Sequence, residues 1–223
     1  MKKIISICIL ISSLAGRLFA QHEPFPVRQW TAAGEKPFVF FISGDGGVRH
    51  FFADLCKDIN QAGYTVAALD ANGFFWNKKS PQQAAEQIAA YLQGQLSQKP
   101  NTKLVLAGYS FGADAVPFIV NELPVDLKQK LSAVLLLSPS ASTDLEIHIA
   151  DMFVEGRKRS MDVAQAVNHM GDTKTVTIMG SEEHQFPVAN VRLKNYNNEI
   201  IPGGHHFDGR PDLVATTMLK FLH

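Results

Sequence analysis

Ser110 stands between two glycines in the segment G-Y-S-F-G, which fits the G-x-S-x-G pattern of a nucleophilic serine. An apolar run, residues 104–107, comes before this segment, and a stretch with helical spacing follows it. A sharp turn from strand to helix strains its central residue, and small neighbours such as Gly108 and Gly112 relieve the crowding. A tight turn without chemistry is the alternative, but the context of strand and helix favours a nucleophile for acyl carbons.

Two adjacent histidines are candidates for the base that such a serine needs. A serine hydroxyl is a weak nucleophile until a base accepts its proton. Where a nucleophilic serine lies in such a turn from strand to helix, the catalytic residues follow the order serine, acid, histidine along the chain. His205 and His206 come directly after the last predicted strand, in the segment P-G-G-H-H-F-D-G. Related hydrolases commonly carry an aromatic pair and a glycine after the catalytic histidine, and His206 would replace the first aromatic. We therefore predict His205 as the base and keep His206 as the alternative.

The acid that orients the histidine is expected one strand earlier. The segment G-S-E-E-H follows the strand predicted over residues 174–180 and offers Glu182 and Glu183. The acid holds the imidazole in the required tautomer and stabilises the imidazolium, which Glu can do as well as Asp. Glu183 is preferred because its spacing from Gly180 carries the side chain past the strand end into the loop. Glu182 is the alternative.

Two backbone N–H groups must stabilise the oxyanion that forms when Ser110 attacks an acyl carbon. The first is expected to be the amide of Phe111, directly after the nucleophile. The second is expected in the segment S-G-D-G-G, which follows the first apolar strand and lets the backbone approach a substrate closely. The amide of Asp45 or that of Gly46 is therefore the second candidate.

Two rival interpretations of these residues lack the required motifs. A phosphate-binding loop would need the ending G-K-[ST] or the spacing G-x-G-x-x-G, and residues 43–47 have neither. A zinc site would need a pattern such as H-E-x-x-H, which is absent, and His148, His184 and Asp208 show no recognised ligand spacing. We therefore expect chemistry without a metal or another cofactor.

Strands and helices alternate along the chain and must position these residues. Apolar runs predict strands over residues 37–43, 64–70, 103–108, 132–140, 174–180 and 197–204. Helical spacing predicts helices over residues 51–63, 81–96, 111–123, 161–171 and 211–223, with residues 141–156 ambiguous. Because parallel strands need long crossovers, this order predicts an α/β fold with a mostly parallel sheet and helices on both faces. That is the three-layer sandwich of the α/β-hydrolase fold.

The first twenty residues differ from the rest of the chain. Two lysines lead into the apolar run of residues 4–16, and a possible cleavage site follows near position 20. The run is too short to span a bilayer comfortably. We therefore predict a secretory signal peptide over residues 1–20, a periplasmic protein, and one α/β-hydrolase domain over residues 21–223. An uncleaved anchor is the alternative, because Arg17 and Phe19 make the cleavage region imperfect.

Charge and cysteine content argue against two classes of protein. The full chain carries 21 basic and 21 acidic residues, and removal of residues 1–20 would leave it mildly acidic. No cluster of Lys and Arg is interleaved with aromatics, so direct binding of nucleic acid is not expected. Cys56 would be the one cysteine left after cleavage, which excludes a disulfide framework.

Four motifs, taken in order, resemble one known family. They are S-G-D-G-G, F-F-W-x-K-x-x-P over residues 74–81, G-Y-S-F-G-A-D-A-V-P-F, and P-G-G-H-H-F-D-G. Together they look like the bacterial virulence protein VirJ family, which also forms the C-terminal domain of AcvB. The likeness runs from Pro37 to the C-terminus. The chain departs from the pattern at Val48, where the family usually has Trp, and at residues 209–211, which interrupt the end of the histidine motif.

The resemblance implies a periplasmic α/β-hydrolase in which Ser110 and one of the two histidines are catalytic. AcvB members are linked to hydrolysis of lysyl-phosphatidylglycerol, and VirJ is linked to type IV secretion of DNA and protein. The first expectation is therefore a serine esterase whose substrate is an ester such as an aminoacyl lipid. The alternative is an adaptor or chaperone that binds secreted proteins or secretion-system components and keeps the fold without turnover.

A run of aromatic and basic residues precedes the helix predicted over residues 81–96. Phe74, Phe75 and Trp76, followed by Lys78 and Lys79, would suit a site mouth that meets acyl chains and anionic headgroups at a membrane surface. The alternative is a set of core aromatics beside solvated lysines. The sequence leaves both interpretations open.

Overall fold

Seven strands of the described chain form one sheet. The computed structural model describes residues 25–147 and 159–223. The strands are β1 (Val27–Trp30), β2 (Phe38–Ile42), β3 (Val66–Leu69), β4 (Leu104–Tyr109), β5 (Leu131–Leu137), β8 (Thr175–Gly180) and β9 (Tyr196–Ile201), and a separate antiparallel pair consists of β6 (Ser142–Thr143) and β7 (Met161–Asp162). The strand order is β1-β3-β2-β4-β5-β8-β9, and every neighbouring pair is parallel except β1 with β3.

Helices cover both faces of this sheet, and each face buries its own apolar cluster. The helices of the described chain are α1 (His50–Gln61), α2 (Ala71–Phe74), α3 (Pro81–Leu96), α4 (Phe111–Glu122), α5 (Val125–Lys128), α6 (Val163–Asn168) and α7 (Pro211–Leu219). On one face α1 packs against α7 over a cluster that includes Phe41 and Val214. On the other face α4 packs against α3 and α6 over a cluster that includes Phe40. The predicted three-layer α/β architecture is confirmed.

The central strands are buried on both faces because helices cover a parallel sheet on both sides. Along β2, Phe40 and Ile42 face the α3 and α4 side, whereas Val39 and Phe41 face the α1 and α7 side. Strand β4 is buried throughout and lies between β2 and β5. Since these strands are parallel, their carboxyl ends meet at one edge of the sheet, where the candidate site residues lie.

The strand prediction missed one edge strand and placed the ends of two others too late. The sequence predicts no strand before residue 37, yet β1 pairs antiparallel with β3 at the edge of the sheet. Strand β5 ends at Leu137, because Ser138 has a φ of 49°, in the left-handed region that an extended strand cannot include. Strand β9 ends at Ile201, because Gly203 turns the chain with a φ of 105°.

Some sequence predictions concern residues beyond those described. The signal peptide over residues 1–20 and His148 lie outside the described residues, and the ambiguous segment 141–156 is described only as far as Ile147. None of the helices in residues 25–147 and 159–223 combines the length and the apolar content that a membrane-spanning helix requires.

Candidate active site

Ser110 occupies a strained turn between β4 and α4. Its φ of 53° and ψ of −119° lie outside the regions that most non-glycine residues adopt, as expected for the turn that presents a nucleophile. The two glycines of the motif are required by close backbone contacts. A Cβ atom at Gly108 would overlap the Gly112 carbonyl, and one at Gly112 would overlap the Ile42 carbonyl of β2. Gly44 also lies against the serine, since a Cβ there would be 3.3 Å from the Ser110 Cβ.

His205 lies in the loop after β9 and contacts Ser110 directly. Its Nε2 atom is 2.8 Å from the Ser110 Oγ atom, which is hydrogen-bond distance. The loop approaches the end of β8 so closely that a Cβ atom at Gly180 would overlap the carbonyl oxygens of Gly203 and Gly204. Glycine at position 180 therefore lets the loop that carries His205 pack against the loop that carries Glu183, which we call the acid loop.

Glu183 completes a hydrogen-bonded chain of three side chains. Its Oε1 atom is 2.7 Å from Nδ1 of His205. Its Oε2 atom accepts hydrogen bonds from the Gly180 N–H at 2.8 Å and from the Ser138 hydroxyl at 2.7 Å. The Glu183 side chain is 6% exposed and that of His205 is 36% exposed, so the acid is enclosed while the imidazole borders solvent.

The charge states of these three hydrogen-bonded side chains suit proton transfer. Burial alone would raise the pKa of Glu183, but hydrogen bonds from His205, Gly180 and Ser138 outweigh it and hold this pKa below its usual range. Burial alone would lower the pKa of His205, but the hydrogen bond and negative charge of Glu183 outweigh it and raise this pKa. Glu183 is therefore ionised at neutral pH, and its charge favours the protonated form of His205.

The alternative residues of each pair lie elsewhere. Nδ1 of the exposed His206 is 2.6 Å from the Tyr109 hydroxyl, which also donates to the His205 carbonyl oxygen at 3.1 Å. Burial, together with the charges of Glu183 and Asp45, raises the pKa of Tyr109, so its phenol stays neutral. The Glu182 side chain is exposed, and its backbone N–H donates to the Gly203 carbonyl oxygen. Of the four candidates, His205 and Glu183 are the ones joined to Ser110.

One predicted oxyanion donor follows Ser110 directly, and the loop that carries the second contacts Ser110 at another residue. Phe111 is the first residue of α4, directly after Ser110. The loop of residues 43–47 touches Ser110 through Gly44. Within the described residues, the N–H groups of Asp45 and Gly46 form no hydrogen bond with protein atoms. All of these donors stay a prediction, and the loop of residues 43–47 adjoins Ser110.

The aromatic run before α3 divides into buried and exposed parts. Phe74 and Phe75 belong to the core, and the Phe75 ring lies 5.1 Å from that of Phe111. The Lys79 ammonium lies 4.9 Å from the centre of the Phe74 ring. Trp76 is 54% exposed, and Lys78 is exposed beside it. The core interpretation therefore holds for both phenylalanines, and Trp76 with Lys78 faces solvent.

The sequence interpretation missed two buried polar residues near the site. Ser138 donates to Glu183, and Asp114 accepts hydrogen bonds from the Ser140 N–H at 2.6 Å and the Ser140 hydroxyl at 2.8 Å. Burial raises the pKa of Asp114 to about 7, although the Ser140 hydrogen bonds lower it. An aspartate inside the apolar helix sequence F-G-A-D-A-V-P-F was a signal for Asp114, whereas nothing in the sequence pointed to Ser138. Among the residues that the structure describes, no group of three or more His, Cys, Asp or Glu residues is arranged to hold a metal ion.

Solved structures with a similar fold are α/β-hydrolases. Est1E from Butyrivibrio proteoclasticus matches with a TM-score of 0.60 at 17% identity, over 88% of this chain and 91% of that one. A lipase-esterase related protein from Clostridium acetobutylicum matches with a TM-score of 0.61 at 16% identity, over 88% and 99% of the two chains. The esterase Pf2001 from Pyrococcus furiosus matches with a TM-score of 0.60 at 13% identity, over 89% and 90%. At such identities the likeness establishes the fold, which is that of the α/β-hydrolases.

Comparison with known sequences identifies the family of this chain. No curated protein matches the chain in sequence. The family described as bacterial virulence protein (VirJ) matches residues 36–223, a span that begins before β2 and includes all three residues of the hydrogen-bonded chain. Because this match covers most of its length, the chain belongs to the VirJ family of bacterial virulence proteins.

Proposed function

We propose that this protein is a serine hydrolase that cleaves esters. The observation that carries the proposal is the continuous chain of hydrogen bonds from Ser110 through His205 to Glu183. The names of the similar structures, which include an esterase and a lipase-esterase related protein, support the same reaction class.

In the proposed mechanism, His205 Nε2 accepts the Ser110 proton while the Ser110 Oγ atom bonds to the acyl carbon. The amides of Phe111 and of Asp45 or Gly46 stabilise the oxyanion, as predicted for this architecture. The imidazolium then protonates the departing alkoxide, which leaves an acyl group on Ser110. A water molecule, deprotonated by His205, attacks this acyl group, and the proton returns to Ser110 as the acid product leaves.

The substrate we propose is an aminoacyl ester of phosphatidylglycerol, as the family resemblance implies. The carboxylate of the half-buried Asp45 acts electrostatically on His205 and Tyr109, and a negative charge at this place favours a substrate with an ammonium group. The exposed Trp76 and Lys78 would suit contact with an anionic membrane surface, because indole rings favour the interface and lysines attract anionic headgroups.

In the direct test, the purified protein is incubated with phosphatidylglycerol vesicles that contain lysyl- or alanyl-phosphatidylglycerol. We expect release of the free amino acid by the wild-type protein and none by Ser110→Ala. Cleavage of a soluble activated ester without release from the vesicles would overturn the lipid substrate and leave the esterase. Failure on both substrates would overturn the esterase as well.

A second candidate function is an adaptor for secreted proteins or secretion-system components. It is favoured by the family description, which names virulence rather than an enzymatic activity. An adaptor would need the folded surface and not the Ser110 hydroxyl. It would therefore be supported if Ser110→Ala restored the phenotype of a deletion strain as fully as the wild-type gene does.

We also propose export to the periplasm, from the basic and apolar pattern of residues 1–20. The expected mature N-terminus is at or near Gln21, and intact mass measurement of protein from a periplasmic fraction checks it. Soluble cytoplasmic protein that retains Met1 would contradict export.

The rate of ester cleavage should depend on the protonation of His205. We expect kcat/KM for a soluble activated ester to rise with pH, with a midpoint above the ordinary histidine pKa of about 6.5. The neutral imidazole accepts the Ser110 proton, and Glu183 outweighs the effect of burial and raises the pKa of His205. Glu183→Gln removes that charge, so its midpoint should move to lower pH.

His169 provides the matched control for this pH profile, because it is an exposed histidine at the end of α6. His169→Gln should leave the midpoint of the wild-type protein in place. A wild-type midpoint at or below about 6.5, or one that Glu183→Gln does not shift, would contradict the assignment of His205 as the base.

A further inference from the structure

The loop of residues 138–140, with the sequence S-P-S, joins the two halves of the candidate site, and we call it the serine loop. It follows β5, which lies between the strand that leads to Ser110 and the strand that leads to Glu183. Its two serines donate hydrogen bonds from their side chains, Ser138 to Glu183 and Ser140 to Asp114.

Ser138 contacts the acid side of the site. Its side chain is almost fully buried, and its backbone N–H donates to the Ile178 carbonyl oxygen of β8 at 2.9 Å. Its hydroxyl is 2.7 Å from Oε2 of Glu183 and 3.4 Å from the His205 carbonyl oxygen. The single hydroxyl proton therefore goes to the carboxylate, which is nearer and charged.

Three donors then surround the Glu183 carboxylate. Gly180 and Ser138 donate to Oε2, and His205 donates to Oε1. Because His205 contacts one carboxylate oxygen while Gly180 and Ser138 contact the second, these hydrogen bonds fix both the position and the rotation of the carboxylate. Of the two donors that hold Oε2, Ser138 is the one supplied by a side chain.

Ser140 ties the other end of the serine loop to the nucleophile helix. Its N–H and hydroxyl both donate to the buried carboxyl group of Asp114. Asp114 lies one helical turn after Ser110, and its N–H donates to the Ser110 carbonyl oxygen at 3.1 Å. The loop therefore links α4 to the acid loop through hydrogen bonds at both ends.

We propose that Ser138 is a positioning residue, whose hydroxyl holds the Glu183 carboxylate in register with His205 while the contact of Ser140 with Asp114 anchors the serine loop. This inference rests on the proposed function, because the position of the acid matters to a reaction in which His205 is the base. It adds a residue that the sequence motifs do not contain.

The backbone of Ser138 supports a role for its hydroxyl. Its φ of 49° is strained for any residue with a side chain, and glycine would adopt it without that cost. A serine at this place therefore retains strain and contributes a hydrogen bond to a buried carboxylate. The same geometry supplies the test, because Ser138→Gly removes the hydroxyl and relieves the backbone.

The first experiment observes His205 directly and does not require activity. In a folded Ser138→Gly protein, NMR titration should give a lower pKa for His205 than in the wild type, because a displaced Glu183 raises it less. The low-field resonance of the proton shared between His205 and Glu183 should weaken or disappear. Ser132→Ala, at the opposite end of β5, serves as the control and should leave both signals unchanged.

The second experiment measures the rate at which a fluorophosphonate reacts with Ser110. Ser138→Gly should slow this reaction roughly ten- to a hundredfold, the scale of one lost hydrogen bond to a charged group. Added to Glu183→Gln, the same change should cost much less, because the group that it positions is already altered. A contribution of Ser138 to general packing would instead give the same loss in both backgrounds.

The results separate the two proposals. An unchanged or raised pKa of His205 in folded Ser138→Gly, or equal losses in both backgrounds, would overturn the positioning role. A wild-type protein that neither reacts with the probe nor cleaves esters would overturn the proposed function. In that case the titration of His205 would still decide whether Ser138 holds Glu183 in place.

Discussion

Ser110→Ala should abolish reaction with a fluorophosphonate and lower kcat/KM for an activated ester by on the order of 10⁶-fold, the scale seen when the nucleophile of a serine hydrolase is removed. The change deletes the oxygen that bonds to the acyl carbon and the proton that His205 accepts. The turn at residue 110 is set by the close contacts of Gly108 and Gly112, so the variant should stay folded. Mass spectrometry of the labelled protein and steady-state kinetics measure the two effects, with circular dichroism to check the fold.

The matched control is Ser132→Ala, which removes a hydroxyl at the start of β5, far along the strand from the site edge. It should react with the probe at the wild-type rate, and a chelator should change neither protein. Labelling of a different residue in Ser110→Ala would contradict the assignment of the nucleophile. Loss of wild-type labelling on addition of the chelator would contradict a reaction that needs no metal.

His205→Ala should lower kcat/KM by about 10³-fold or more, whereas His206→Ala should lower it far less. The reason is the contact that each imidazole makes. Nε2 of His205 lies 2.8 Å from the Ser110 Oγ atom, but His206 bonds to the Tyr109 hydroxyl. In His206→Ala, Tyr109 can still donate to the His205 carbonyl oxygen and hold the loop.

Parallel kinetics of the two histidine variants measure this difference, with thermal unfolding of each variant as the control for the fold. The opposite ranking would exchange the roles of the two histidines. It would also show that alignment to an aromatic pair is a poor guide at this motif.

The layered fold was predictable because local signals and the order of elements agree. Helix α3 has the predicted bounds, since the Ser80 side chain caps it and Pro81 occupies its first position. Strand β1 escaped prediction because it has four residues, of which two are exposed, and it depends on β3 for its hydrogen bonds. A short strand at a sheet edge carries too little apolar pattern to be recognised in sequence.

The site was predictable to the level of its segments. G-x-S-x-G located Ser110 because the close backbone contacts demand glycine on both sides. Within the pairs Glu182–Glu183 and His205–His206, the path of the loop decides which side chain points to Ser110. Adjacent residues in a loop can point in opposite directions, so spacing in the sequence could only rank the two members of each pair. Ser138 and Asp114 act on residues 45 and 26 positions away in sequence, and such pairs are set by which strands are neighbours in the sheet.

The distance along the chain between the members of the site has a consequence for synthesis. Ser110 and His205 are 95 residues apart, and His205 reaches the serine only when β9 has paired with β8 at the end of the strand order. Contacts of such long separation form late, because the loop between them must be closed first. A growing chain therefore carries Ser110 long before it carries the proposed base, and under the proposed mechanism an unfolded chain is chemically inert until β9 has docked.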